Sequence, residues 1–124
     1  MRIDDQIDET VAVIRSYNNQ RVAMQVKNLL SMGIGRVIVV VNAQPDRRST
    51  KGFLKKYQGT PAVHIIEMHE GYTWSSALNI AIMSIQMTNL EHRRDGIDPF
   101  EYIFNVSVEA QFTREDLEAM LTAA

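Results

Sequence analysis

The run Arg36-Val37-Ile38-Val39-Val40-Val41 constrains this chain more than any other feature. Five consecutive β-branched residues leave no polar face, so a strand built from them must be buried on both sides. Strands of that kind sit inside parallel sheets that carry helices on both faces. Three other segments read as strands beside it. Thr10 to Arg15, Ala62 to Glu67 and Phe100 to Val106 are short, apolar and rich in β-branched or aromatic residues.

Helical spacing fills the intervals. Val22, Val26, Leu29 and Leu30 recur three and four apart, with Asn18 or Asn19 as cap and Gly33 and Gly35 as stop. Pro45 to Gly52 reads as a turn and helix start, and Phe53, Leu54 and Tyr57 form a short stripe that ends at Gly59-Thr60-Pro61. Gly71 to Met87 predicts a helix whose inner side carries Trp74, Ala77, Leu78, Ala81, Ile82 and Ile85, and Asn89 to Pro99 reads as a charged loop. Thr113 caps a last helix through Leu117, Met120 and Leu121. Strand and helix thus alternate four times. This predicts one three-layer αβα domain over residues 1–124, with a mostly parallel four-stranded, Rossmann-like sheet.

Composition narrows the partners. A net charge of −2 gives no electrostatic argument for nucleic acid or an anionic membrane. The absence of cysteine excludes disulfides and thiolate metal sites. No apolar run approaches the roughly 20 residues of a membrane span, and the acidic start Met1-Arg2-Ile3-Asp4-Asp5 has no signal-peptide character. A cytoplasmic location is expected by elimination. A parallel sheet binds ligands outside the carboxyl ends of its strands, where strand order reverses. Candidate site residues therefore lie at Arg15 to Asn18, Val41 to Asp46, Met68 to Gly71 and Asn105 to Glu109.

Four of these stretches, in order, carry a resemblance. Val-Ala-Val-Ile-Arg-Ser-Tyr-Asn at 11–18, Arg36 to Asp46, Glu70-Gly71 with Ala77 and Asn79, and Tyr102 to Val108 followed by Phe112 to Leu117 resemble the nucleotide-binding half of family 2 glycosyltransferases of the GT-A fold. The resemblance implies a sheet order of 3-2-1-4 with the reversal between the first and fourth strands. It implies a nucleotide sugar of UDP or GDP type as ligand, with Arg15, Tyr17, Asn18, Asn42, Gly71 and Ser107 as binding residues. An amide at Asn42 can both donate to and accept from a uracil.

The chain also departs from that pattern. The family holds Mg²⁺ or Mn²⁺ with an Asp-x-Asp at the end of the fourth strand, where both Asp positions here are Val106 and Val108. Ser107 offers one hydroxyl, and Glu109 is out of register. No residue is assigned as general base, because the family's acceptor-binding half lies beyond the segments matched. Two functions follow as expectations: weak or vestigial nucleotide-sugar binding without catalysis by this chain alone, or a non-enzymatic interaction and assembly module that kept the fold. A homo-oligomer is expected in either case, closed over the fourth strand's edge or nearby apolar surface. Each residue also has a structural reading. Tyr17 can pack at a strand end, Asn18 can cap a helix, and His64, His69 and His92 can be ordinary strand or loop residues. The methionines fill core gaps or an interface.

Overall fold

The computed structural model describes residues 2–16, 21–42, 54–57, 59–68 and 73–123, and of Asn42 and Trp74 only the backbone. The chain runs α1 (Ile3–Asp8), β1 (Thr10–Ser16), α2 (Val22–Ser31), β2 (Arg36–Asn42), a 3₁₀ turn (Lys55–Tyr57), β3 (Val63–Met68), α3 (Trp74–Arg94), β4 (Tyr102–Val106) and α4 (Arg114–Ala123). All four strands are parallel, in the order β3-β2-β1-β4. This is the predicted α/β sheet, with its reversal between β1 and β4.

Strand alternation sorts the core into two layers. Ala12, Ile14, Val37, Val39, Val41 and Val106 face one side and meet Ile7, Val22, Val26, Leu29, Leu54, Leu117 and Leu121. Val11, Val13, Ile38 and Val40 face the other and meet Ala77, Ala81 and Ile85 of α3. The β2 valines are wholly buried on both faces, as the uninterrupted run demands. Gly33, at φ +93, ends α2. Gly35 has a different role: a Cβ there would lie 1.9 Å from the Asp8 carbonyl oxygen and 3.0 Å from the Phe100 ring. Only a residue without a side chain lets α1 and the segment before β4 close over the start of β2.

Helix α4 begins with a reciprocal cap. The Asp116 amide donates to Thr113 Oγ1 at 3.2 Å, and the Thr113 amide donates to Asp116 Oδ2 at 2.8 Å. Arg114 ties its first turn to Asp4 of α1 and to Glu118. Thr73 caps α3 through the Ser76 amide at 3.2 Å.

Two expectations are corrected, and one element was unforeseen. Helix α1 was not legible in six residues with only Ile3 and Ile7 as apolar markers. Helix α3 does not stop at Met87 but runs to Arg94, so most of the expected charged loop is helical. His92, Arg93 and Arg94 in its last turn complement the helix dipole, and Gly96 at φ +73 follows the end. Strand β4 begins at Tyr102 rather than Phe100, because Asn89 of α3 takes both the amide (2.8 Å) and the carbonyl (3.1 Å) of Phe100.

Candidate functional site

The carboxyl edge of the sheet is built from Ser16, Asn42, Met68 and Val106, the last residues of the four strands. The β1–β4 ladder ends at the pair Ile14 and Val106. Arg15 and Ser107 each follow this last pair by one residue, and both are exposed. Arg15 shares the sheet face of Val11 and Val13, whereas Ser16 turns to the other face and is buried. Of the six residues the sequence nominated, Arg15, Asn42 and Ser107 lie among the described residues, each at or just past the end of a strand on this edge. Asn42 ends the neighbouring strand, opposite Met68. Tyr17, Asn18 and Gly71 lie outside the described residues, as do His69 and the segment from Ala43 to Phe53.

The loop after β4 is pinned by a residue that sequence reasoning passed over. Gln25 interrupts the apolar face of α2 and is buried. Its Nε2 donates to the carbonyls of Ser107 and Ala110, at 2.9 Å each. The visible signal was a long polar side chain at a core position of an amphipathic helix, since buried polar groups need partners. Arg21, just before α2, reaches Glu109 at 3.9 Å. Both ends of that pair are solvent-exposed, so it is weak. Between α2 and the loop runs an open groove of about 450 Å³, lined by Arg21, Met24 and Asn28 on one side and Val108, Glu109 and Phe112 on the other.

The Val-Ser-Val tip does not suit a divalent ion. Val106 is 4% exposed and sits in the layer under α2 and α4. That layer lies on the face of the sheet opposite α3. Val108 is half-buried against the same layer as Val106. Glu109 points to Arg21, and its amide approaches Ser107 Oγ at 3.4 Å. Among the described residues no group of three or more His, Asp or Glu side chains is arranged to hold a metal. The described residues therefore do not fit the Mg²⁺ or Mn²⁺ that the resemblance implied.

At the opposite, amino end of the sheet, carboxylates crowd. Asp5, Asp8, Glu9 and Asp98 border a second groove of about 460 Å³ with His92 and Phe100. The Glu9 carboxyl is held above its ordinary value of 4.5, first by desolvation and then by Asp98, Glu101, Asp5 and Asp8. Its Oε2 is enclosed and has no hydrogen-bond partner among the described residues. His64, on β3, is held below its usual value by desolvation and by the Arg36 charge, which favours a neutral strand imidazole. His92 packs its ring on Phe100 at 5.3 Å and takes a structural place at the end of α3.

No described helix is long and apolar enough to cross a membrane. Comparison with protein-family models, curated proteins and solved structures finds no match to this chain.

Proposed function

We propose that this domain binds a nucleotide sugar of UDP or GDP type weakly, without a metal, at the carboxyl edge between β1 and β4. The observation that supports the reading is the reversal of strand order between β1 and β4, with Arg15 near the end of β1 and Ser107 just past the end of β4. A guanidinium is the side chain best matched to a diphosphate, since it forms paired, charge-assisted hydrogen bonds. The Ser107 hydroxyl adds a donor, and the backbone entering α2 adds the positive end of a helix. The missing carboxylate pair removes the ion that would neutralise a departing diphosphate. We therefore assign no transfer step to these residues.

The test is a titration with uridine and guanosine diphosphates followed by amide resonances. Shifts are expected at 14–16, 40–42 and 106–109, with a dissociation constant on the order of 0.1–1 mM, or about −4 to −5.5 kcal/mol. Manganese should change it by less than about threefold, and Arg15→Ala should weaken it about tenfold, the effect of one lost charged hydrogen bond. Absence of shifts at millimolar nucleotide, or tight binding that needs manganese, overturns the reading. A second reading, that the domain serves as an assembly module, is favoured by one specific feature, the outer face of α3.

A further inference from the structure

Helix α3 is apolar on the side where a surface helix should be polar. Its inner face, Ala77, Ala81 and Ile85, is buried on the sheet. Its outer face carries Ile80, Met83, Met87 and Leu90, which are 36%, 60%, 65% and 64% exposed. Their spacing of three, four and three places them in one stripe, directly opposite the buried residues. From Trp74 to Leu90 the helix contains no charged residue, in a chain that is 23% charged. Its charges begin at Glu91 and gather in the last turn. A surface helix ordinarily turns a charged or polar face outward. Depletion of charge with enrichment of methionine marks the core of an interface.

We propose that the outer face of α3 is the interface of a homodimer, in which α3 packs antiparallel on α3 of a second copy. The stripe is close to palindromic about Ile85. A two-fold axis there sets Met83 against the partner's Met87 and Ile80 against the partner's Leu90. The same patch then serves both copies, and the assembly closes at two. Antiparallel helices oppose their dipoles favourably. The uncharged stretch means that no like charges meet across the middle, while Glu91, Arg93 and Arg94 fall at the two rims. The four stripe residues expose roughly 400 Å² per copy, within the size range of patches that are often functional. Two copies, with Ser76, Asn79 and Ser84 at the margins, approach the ~1,000 Å² that a specific interface needs. This proposal is independent of nucleotide binding, because the stripe lies on the outer surface of the α3 layer and away from the strand tips.

Sedimentation of the intact chain over a range of micromolar concentrations tests it, with Met83→Glu/Met87→Glu as the variant. The native chain should show a reversible dimer whose strength is unchanged or increased by salt, since apolar contacts hold it. The variant should sediment as a monomer, with association weakened at least about 100-fold by four buried charges per dimer. Its circular dichroism and thermal midpoint at low concentration should match those of the native monomer, because both positions are solvent-facing in one copy. Met83→Cys/Met87→Cys should cross-link under oxidation, as the chain has no other cysteine. A native monomer at 100 μM overturns the proposal. So does a dimer that survives the double glutamate variant, or one abolished instead by Ile103→Lys on the β4 edge. Capture of the native chain by lipid vesicles without any dimer also overturns it.

Discussion

Gln25 Nε2 lies 2.9 Å from the carbonyl oxygen of Ser107, across 82 residues of sequence. A second bond of the same length reaches Ala110. One amide group thus sets the path of the loop after β4, including the Ser107 side chain that we assign to anion binding. Gln25→Leu keeps much of the volume and removes both bonds. It should cost about 1–2 kcal/mol, since the freed carbonyls are close to solvent and partly rehydrate. Amide exchange at residues 107–112 should rise more than exchange in the β1–β2 ladder. Gln25→Glu should cost more at neutral pH than at pH 4, because an ionised carboxylate would face two carbonyl oxygens. Equal loss of protection throughout the domain would show that Gln25 acts on the whole fold instead of the loop.

Gly35→Ala should be among the most damaging single substitutions in the chain. The added Cβ would meet a backbone carbonyl at 1.9 Å, which no side-chain rotation relieves. Overpacking typically costs about 1–3 kcal/mol, and a backbone clash belongs at or above the upper end. Gly59→Ala offers a control, since a Cβ there meets nothing within 4 Å and only the positive φ of +79 opposes it. Denaturant midpoints should fall much further for Gly35→Ala. Near-equal losses would refute the close approach of α1.

How much of this was legible in advance follows from how local each signal is. The five β-branched residues of β2 forced a doubly covered strand wherever the chain led them. The Thr113 cap depends on residues three apart, so it was readable. Val106 was harder. Whether a residue at a strand tip faces the core or the crevice depends on the last rung of the ladder, which pairing with β1 decides. The stripe Ile80, Met83, Met87 and Leu90 was hidden behind the stronger inner stripe, because a second apolar stripe interleaved with Asn79 and Gln86 blurs the periodicity. Gln25 was hidden for a different reason: its partners are carbonyls of a loop 82 residues away.

Glu9 should make stability fall as pH rises through the mildly acid range. Its carboxyl is raised above 4.5 in the folded protein, so the fold binds that proton more tightly than the unfolded chain does. The stabilisation is fully present below about pH 4.5 and is lost as pH climbs through the raised value. Asp5, Asp8, Asp98 and Glu101 add their repulsion over the same window. Glu9→Gln removes one ionisation, and its amide can donate to the neighbouring carboxylates. It should raise the thermal midpoint at pH 7 and leave it nearly unchanged at pH 4. A gain of equal size at both values would mean that packing, and not charge, limits this corner.

Placing an acidic pair at the β4 tip should fail to create a metal site, and it should fail unequally. Val106 is 4% exposed among Ile14, Val22 and Leu117, so Val106→Asp places an unpaired carboxylate in the layer under α2 and α4. The cost should be about 3–5 kcal/mol, the usual penalty for an uncompensated buried charge. Val108 is half-buried and beyond the strand, so Val108→Asp can stay hydrated and should cost about 1 kcal/mol. Ser107→Asp puts a carboxylate at the exposed position between Val106 and Val108. That variant should fold as stably as the native chain and lose nucleotide binding, since its charge repels a diphosphate. Unfolding in denaturant ranks the three variants, and calorimetry with nucleotide, with and without manganese, reads the site. Manganese-dependent binding in Val106→Asp/Val108→Asp would show that the tip rearranges to face the crevice, and that the buried position of Val106 is not what excludes the metal.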